Sequence, residues 1–328
     1  MDEYRQADMR IAILDDYQNA ALSAADWSKV KARASVEVFT EPLGARAAET
    51  LSPFDAVVAM RERQRFPREL LMQLPNLKFI AQTGMGAAHI DFAATRERGI
   101  VVSGTRGDGS MSAEVELAWA LILAAARQIA SADRAVREGR WQEAVGLRLA
   151  GKTLGVIGLG NIGARVAQIG QAFGMKTMAW STNLTEERCR EIGVAYADKA
   201  RLFSEADVVS IHLKFSDRSR GLIGAADLAR MKKTAILVNT SRAPIVDQPA
   251  LLAALTAGTI GCAALDVYEI EPLPADHPMR TAPRTVLTPH IGFVADDNYS
   301  VFYGQSVENI LAFMDGKPLR VIDPDARH

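Results

Sequence analysis

Short apolar runs alternate with longer amphipathic stretches along most of this chain. The apolar runs are rich in Val, Ile and Ala, and many of them are bounded by turn residues such as Gly, Pro, Asp and Asn. This pattern is typical of buried parallel strands that are connected by helices. In the first third of the chain it predicts strands at residues 11–14, 36–39, 56–59, 78–81 and 100–102, and helices at 20–31 and 68–74.

A second and more regular series of strands and helices begins at Thr153. A long apolar helix at 112–128 precedes it, after a loop that contains Gly107, Gly109 and Ser110, and a helix at 297–315 follows it. The predicted strands are 153–157, 176–180, 208–212, 235–239, 261–266 and 285–288, and the predicted helices between them are 162–173, 185–191, 225–231 and 248–257.

The pattern therefore predicts an α/β protein with two domains, each a parallel sheet flanked by helices. The length of 328 residues agrees, because a domain has about 150 residues. We expect the first domain to comprise residues 1–104 together with 294–328, since the last helix comes after the second series is complete. Residues 105–293 would form the second domain.

Composition and charge argue against several kinds of partner. Lys and Arg number 38 and Asp and Glu number 39, and a net charge of -1 does not favour electrostatic binding of nucleic acid. The apolar run at 117–126 is about half the length of a membrane span, and the charged N-terminus lacks a signal-peptide core. Cys189 and Cys262 form neither a zinc motif nor a disulfide framework. We expect a cytoplasmic protein with no metal, no nucleic acid and no membrane partner.

The segment LGVIGLGNIG at 154–163 has the glycine spacing of a dinucleotide-binding turn. It follows a predicted strand and opens a predicted helix, which is the context that this motif requires. Gly158 would permit the tight turn, Gly160 would let the backbone approach a pyrophosphate, and Gly163 would let helix and strand pack closely. The first helical residues, Asn161 and Ile162, would present backbone N–H groups to the phosphates.

The end of the following strand bears on the choice between NAD and NADP. NAD sites usually place Asp or Glu there to bind the ribose hydroxyls. This chain has Ser181, Thr182 and Asn183 instead, so the negative charge that repels a 2′-phosphate is missing, and no Arg follows at once. We expect NAD or NADP as the cofactor, with a slight preference for NADP or for dual use.

Three further motifs follow in order: VNTSR at 238–242, ALDVYEIEP at 264–272 and LTPHIG at 287–292. With the glycine turn, they make the chain resemble the D-isomer-specific 2-hydroxyacid dehydrogenase family, which includes phosphoglycerate dehydrogenase and glyoxylate/hydroxypyruvate reductase. The resemblance implies two flavodoxin- or Rossmann-like domains with an interdomain active-site cleft, usually in a homodimer. Residues 1–104 and 294–328 would be the substrate (catalytic) domain, and 105–293 the dinucleotide-binding domain.

The resemblance assigns catalysis to Arg242, Glu271 and His290. Reduction of a 2-keto acid adds a proton to the carbonyl oxygen and a hydride, which the nicotinamide supplies, to the carbonyl carbon. His290 could donate that proton while Glu271 orients its ring, because imidazole suits acid–base catalysis near neutral pH. Arg242 could hold the substrate carboxylate with its fork of donors. The expected function is hydride transfer between NAD(P)(H) and a small D-2-hydroxy or 2-keto acid.

The resemblance also implies further binding residues. Gly84, Met85 and Gly86 follow a predicted strand and would bind the substrate carboxylate, since successive backbone N–H groups can hold an anion. Ala243 departs from the family, in which Gly usually follows the catalytic Arg. Three residues near strand ends would lie beside the cofactor, namely His212, Thr240 and Asp266, the last of them at the nicotinamide carboxamide.

Other functions are compatible with the same residues. Formate and phosphite dehydrogenases resemble this pattern, but formate enzymes generally replace the Glu, so Glu271 argues against formate. The three catalytic residues do not exclude phosphite. A scaffold that senses NAD(H) with little turnover, like the corepressors called C-terminal binding proteins, would also keep the site residues. Turnover of keto acids separates these alternatives.

Overall fold

The structure is a computed structural model that describes residues 9–107 and 112–323. The chain divides into two compact units. Unit 1 is Met1–Ser110 with Val294–His328, and unit 2 is Met111–Phe293. Gly109 and Ser110, which we expected in a loop, lie outside the described residues.

Unit 1 is built on a single parallel sheet. Its strands are β1 (Met9–Ile13), β2 (Ala34–Val38), β3 (Ala56–Ala59), β4 (Phe79–Gln82) and β5 (Val101–Gly104). Their order in the sheet is β2-β1-β3-β4-β5, the order of flavodoxin-like folds. The shorter helices of the unit are α1 (Ala21–Ala24), α2 (Ser28–Lys31), α3 (Ala47–Leu51), α4 (Arg68–Leu71) and α5 (Phe92–Arg98).

The C-terminal helix, Asp296–Met314, also packs on unit 1. The ring of Phe313 stacks on that of Phe79 in β4 with centroids 4.5 Å apart, and the hydroxyl of Tyr299 donates to Gln18 at 2.9 Å. The helix therefore returns to the first sheet after the second sheet is complete.

The predicted helix at 20–31 is two short helices, α1 and α2. Ala25 between them is extended, and the indole of Trp27 is buried with its N–H donating to the Ala21 carbonyl at 2.8 Å. A continuous helix would not allow that hydrogen bond, because a backbone turn is needed to bring the indole back over α1.

Unit 2 begins with two helices, α6 (Ser112–Arg127) and α7 (Ile129–Arg137). The predicted helix at 112–128 ends at Arg127 because Gln128 adopts a left-handed conformation with φ 54°, after which α7 starts in a new direction. Among the described residues, no single helix is long and apolar enough to cross a membrane. By length and composition alone α6 and α7 together would be, but they are bent by 60°.

The remainder of unit 2 is a seven-stranded parallel sheet. Its strands are β6 (Thr153–Ile157), β7 (Lys176–Trp180), β8 (Ala195–Tyr196), β9 (Val208–Ile211), β10 (Ile236–Asn239), β11 (Cys262–Leu265) and β12 (Thr285–Leu287). The order is β12-β11-β10-β9-β6-β7-β8, which is that of the Rossmann fold. The helices are α8 (Asn161–Ala172), α9 (Glu186–Ile192), α10 (Lys199–Glu205), α11 (Ala225–Leu228) and α12 (Gln248–Ala257).

Candidate active site

The chain order of the unit 2 sheet reverses between β6 and β9, and residues that follow both strands meet there. The backbone N–H of His212, just after β9, donates to the carbonyl of Ile157 at the end of β6, at 2.8 Å. Ligands of open α/β sheets bind in the crevice outside the carboxyl ends of strands at such a point. The glycine turn begins one residue beyond Ile157.

An added Cβ would meet different surroundings at each of the three glycines of this turn. Gly158 has φ 95°, and a Cβ there would lie 2.7 Å from the carbonyl oxygen of His212. A Cβ on Gly163 would lie 2.0 Å from the carbonyl oxygen of Gly158, so no side chain fits at this position. A Cβ on Gly160 would meet nothing within 4 Å. Gly160 is thus the one glycine of the three that faces open space.

The start of α8 adds donors to that open space. Gly160 is the N-cap of α8 and no side chain caps the helix, while Asn161 is exposed and Ile162 is half-buried. Uncapped N–H groups and the helix dipole favour an anion at this end. The residues therefore fit the pyrophosphate of a dinucleotide.

The residues after β7 carry hydroxyl and amide groups and no carboxylate. Ser181 is half-buried, and Thr182 and Asn183 are exposed. The nearest following cation, Arg188 in α9, is ion-paired with Glu191 at 3.0 Å. Hydrogen-bond donors are therefore available at this position to either a ribose hydroxyl or a 2′-phosphate.

His212 is half-buried, and its Nε2 lies 2.8 Å from the Ser210 hydroxyl. Burial lowers the pKa of His212 to about 4, so the ring is neutral at physiological pH. A neutral ring with a hydroxyl partner can line a cofactor site without adding charge to it.

His290 and Glu271 form a close acid–base pair in unit 2. The Nδ1 of His290 lies 2.6 Å from Glu271 Oε2, and the other carboxylate oxygen accepts the backbone N–H of Tyr268 at 2.8 Å. The side chains are 27% and 34% exposed, so solvent reaches both groups. Since Nδ1 is occupied by Glu271, a substrate would meet the Nε2 side of the imidazole.

Asp266, the first residue after β11, is fully buried. Its Oδ1 accepts the Thr288 hydroxyl at 2.6 Å and the Ile291 N–H at 2.8 Å, and its Oδ2 accepts the Gly292 N–H at 2.9 Å. Burial raises the pKa of Asp266, against the effect of these hydrogen bonds. Both carboxylate oxygens therefore accept hydrogen bonds from the segment that contains His290.

Arg242 stands at the end of a loop that the Asn239 side chain shapes. Asn239 donates to the Arg242 carbonyl at 3.1 Å and accepts the Ser241 N–H at 3.0 Å, and the Ser241 hydroxyl donates to the carbonyl of Leu213. Arg242 is half-buried, with Nη1 2.8 Å from the Ser241 carbonyl, and Thr240 is half-buried as well.

The Gly-to-Ala departure at Ala243 is accommodated without backbone strain. Ala243 is buried and begins a 3-10 turn, Ala243–Ile245. Residues of such a turn have ordinary negative φ angles, so a Cβ is tolerated there.

In unit 1, the predicted anion loop lies after β4. Gly84 has φ 86°, and a Cβ there would lie 2.1 Å from Nη1 of Arg61, so this guanidinium lies against the loop. The N–H of Gly84 donates to the Thr105 hydroxyl at 2.7 Å. Met85 and Gly86 are exposed, while Gly84 is buried.

Comparison with known proteins agrees with this geometry. The model of the D-isomer specific 2-hydroxyacid dehydrogenase NAD binding domain matches residues 119–292. The chain belongs to the D-isomer-specific 2-hydroxyacid dehydrogenase family. The match includes the glycine turn, Arg242, Glu271 and His290, so the family's NAD-binding domain lies within unit 2.

Individual members of the family cover most of the chain. A glyoxylate reductase of Aeropyrum pernix is 43% identical over 262 residues, which are 77% of this chain and 78% of that protein. A hydroxypyruvate reductase of Thermotoga maritima is 37% identical over 262 residues, 78% of this chain and 84% of that one. The crystal structure of a phosphoglycerate oxidoreductase from Vibrio cholerae O395 has a TM-score of 0.88 and 39% identity, and it covers 94% of this chain and 99% of its own.

Two residues of the candidate site in this chain, Thr288 and Tyr268, were not predicted from the sequence. Thr288 binds Asp266, and Tyr268 donates its hydroxyl to the Thr288 carbonyl at 3.0 Å. The strand register pairs Leu265 with Leu287, so Asp266 and Thr288 occupy the next position of adjacent strands. Polar residues directly after two neighbouring parallel strands were the available signal.

The described residues contain no group of three or more His, Cys, Asp and Glu side chains that could hold a metal ion.

Proposed function

We propose that the protein is an NAD(P)(H)-dependent reductase of a small 2-keto acid, and the corresponding D-2-hydroxyacid dehydrogenase in reverse. The observation that carries this is the 2.6 Å contact between His290 Nδ1 and Glu271, at the carboxyl edge of a sheet whose switch point holds the glycine turn. The glyoxylate and hydroxypyruvate reductases that resemble the chain support a small substrate.

The acid–base step belongs to His290. When bound, the reduced nicotinamide supplies a hydride to the carbonyl carbon. His290 donates its Nε2 proton to the carbonyl oxygen, and Glu271 stabilises the imidazolium form at Nδ1 before that transfer. In the oxidation direction, neutral His290 would accept the hydroxyl proton at Nε2.

Substrate binding would fall to Arg242 and to the loop after β4. The guanidinium of Arg242 offers two parallel donors to a carboxylate and polarises the keto oxygen. We propose that Gly84, Met85 and Gly86 form the backbone of the carboxylate site, with the N–H groups of Met85 and Gly86 as donors, because the Gly84 N–H is bonded to Thr105. The Arg61 guanidinium lies beside Gly84, and the Glu62 carboxylate 3.9 Å from it lies beside Gly86, so an anion would bind next to an existing ion pair.

The cofactor side would use Gly158, Gly160 and the start of α8 for the pyrophosphate. Ser181, Thr182 and Asn183 would bind the adenosine ribose and tolerate a 2′-phosphate, because no carboxylate repels it. The proposal therefore keeps a slight preference for NADP or dual use. Three residues would lie near the nicotinamide half, namely His212, Thr240 and Asp266.

The protein would work as a homodimer in the cytoplasm. Apolar side chains of α7 and the segment after it are exposed, with Trp141 75% and Val145 95% accessible. Apolar residues clustered in this way mark association surfaces. Cys189 and Cys262 are free thiols, which suits a reducing compartment.

A panel of keto acids tests this proposal. Glyoxylate, hydroxypyruvate, phosphohydroxypyruvate, pyruvate and phenylpyruvate are assayed with NADH and with NADPH, and formate and phosphite with NAD⁺ and NADP⁺. We expect reduction of at least one small keto acid to its D-hydroxy acid, with comparable or better efficiency for NADPH. Tight binding of NADH with no consumption across the panel would instead indicate a scaffold, and a large preference for NADH would refute the cofactor preference.

A further inference from the structure

The backbone at His290 has an uncommon conformation. His290 has φ 55°, in the left-handed region that side-chain-bearing residues rarely adopt. Such a conformation costs free energy, so the surrounding structure must supply compensating interactions. The Glu271 contact alone does not explain it, because that contact involves the side chain and not the backbone.

The buried carboxylate of Asp266 supplies those interactions. It accepts hydrogen bonds from the two backbone N–H groups directly after His290, those of Ile291 and Gly292, and from Thr288 two residues before it. Hydrogen bonds to a charged acceptor are about twice as strong as neutral ones. The carboxylate therefore holds the chain on both sides of His290.

We propose that Asp266 is a positioning residue whose carboxylate holds the His290 backbone so that its imidazole meets Glu271. The side chain is fully buried and both of its oxygens are hydrogen-bonded within the protein, which fixes the carboxylate in place. This role is additional to the cofactor contact that the family resemblance implied, because a carboxylate oxygen can accept more than one hydrogen bond, and its importance for catalysis rests on the proposed function.

The test compares two variants, each of which weakens the hydrogen bonding of the Asp266 carboxylate. Asp266→Asn replaces an acceptor oxygen with an N–H donor that faces a backbone donor, and Thr288→Val removes one of the three bonds and keeps the charge. Asp207→Asn is the matched control: Asp207 is also a buried Asp beside a strand of this sheet, where it accepts the Thr153 N–H at 2.9 Å and binds Lys232 at 3.0 Å.

The primary readout is the downfield proton NMR resonance of an imidazole N–H that is bonded to a carboxylate, assigned to His290 by its absence from Glu271→Gln. We expect this resonance to disappear in Asp266→Asn, to weaken in Thr288→Val and to persist in Asp207→Asn. Asp266→Asn should also lower kcat about 100-fold, since a misplaced catalytic group costs about that much.

Cofactor affinity separates positioning from cofactor contact. Thr288→Val keeps the carboxylate, so titration of NADH fluorescence into this variant should give a Kd close to that of the wild type while the resonance weakens. A Kd raised about tenfold or more in Thr288→Val with an unchanged resonance would contradict positioning.

The proposal is overturned if the resonance persists in a folded Asp266→Asn protein, or if Asp207→Asn loses it equally. If Asp266→Asn does not fold, an unchanged resonance in Thr288→Val overturns it. The NMR readout needs no substrate. If the protein reduces no keto acid, the proposed function is refuted, and the resonance still decides whether Asp266 positions His290.

Discussion

Asp15 places a carboxylate in the interior of unit 1, just beyond the end of β1. It is 4% exposed, has φ 54°, and its Oδ2 is a buried oxygen with no hydrogen-bond partner among residues 9–107 and 112–323. The Arg63 side chain donates to the Asp15 carbonyl at 2.6 Å and lowers the carboxyl pKa through its charge. Burial is the larger effect, and it raises the pKa from 3.8 to about 6.

This raised pKa gives a pH-dependent change in stability. Between about pH 4 and 6 the folded protein binds a proton that the unfolded chain has released, so this group lowers the unfolding free energy as pH rises through 6. Asp15→Asn should therefore be more stable than the wild type at pH 8, on the order of 2–3 kcal/mol at ~1.4 kcal/mol per pKa unit. The gain should vanish near pH 4. Denaturant unfolding at both pH values measures it, and an equal effect at both would contradict this account of Asp15.

At the scale of the element, the β6–α8 turn gives a prediction that separates binding from folding. Gly160→Ala adds a methyl group that meets no protein atom, so its melting temperature should stay near that of the wild type. The same methyl group occupies the space proposed for the pyrophosphate, so NADH affinity should fall about tenfold or more, the effect of losing one or two charge-assisted hydrogen bonds.

Gly224→Ala is the matched control for this substitution. Gly224 is also a helix N-cap with nothing within 4 Å of an added Cβ, at the start of α11. It should leave both the melting temperature and NADH affinity unchanged. Gly163→Ala should fail to fold or melt much lower, because its Cβ would lie 2.0 Å from a backbone oxygen. Equal NADH affinity of Gly160→Ala and the wild type would remove the turn from the proposed cofactor site.

The regular elements of the fold were largely predictable from sequence. Most strands are apolar runs with buried residues, and their positions agree with the predicted ones to within a few residues, as at 153–157 and 176–180. The two-residue strand β8 was not predicted, because Ala195 and Tyr196 are exposed and too few to show a pattern. Helices α3, α5 and α10 were also missed, as was α7, whose separation from α6 depends on one left-handed residue, Gln128.

The candidate site was predictable only where motifs carry chemistry. The pairing of His290 with Glu271 was expected from residue types and family resemblance, and the structure places them 2.6 Å apart. The hydrogen bonds of Asp266 to Ile291 and Gly292 could not be predicted, because they involve backbone groups whose direction depends on the local fold. Sequence patterns specify side chains and carry little information on where backbone N–H groups point.

At the scale of the whole molecule, the exposed apolar segment predicts an assembly. Val136 in α7 is 57% exposed, and α7 and residues 141–144 together line a groove. If a second copy covers this surface, Val136→Glu should convert a dimer to a monomer, because a buried unpaired charge is costly. Leu22→Glu, at an exposed apolar residue of α1, is the control and should remain dimeric. Light scattering coupled to size exclusion measures the mass, and a monomeric wild type would refute the homodimer.

The proposed role of His290 as the proton donor in a keto-acid reduction is tested by kcat and NADH affinity of His290→Ala. We expect kcat to fall about 10³-fold, the usual contribution of a general acid, with NADH bound as tightly as by the wild type. Turnover by His290→Ala near the wild-type rate would contradict it.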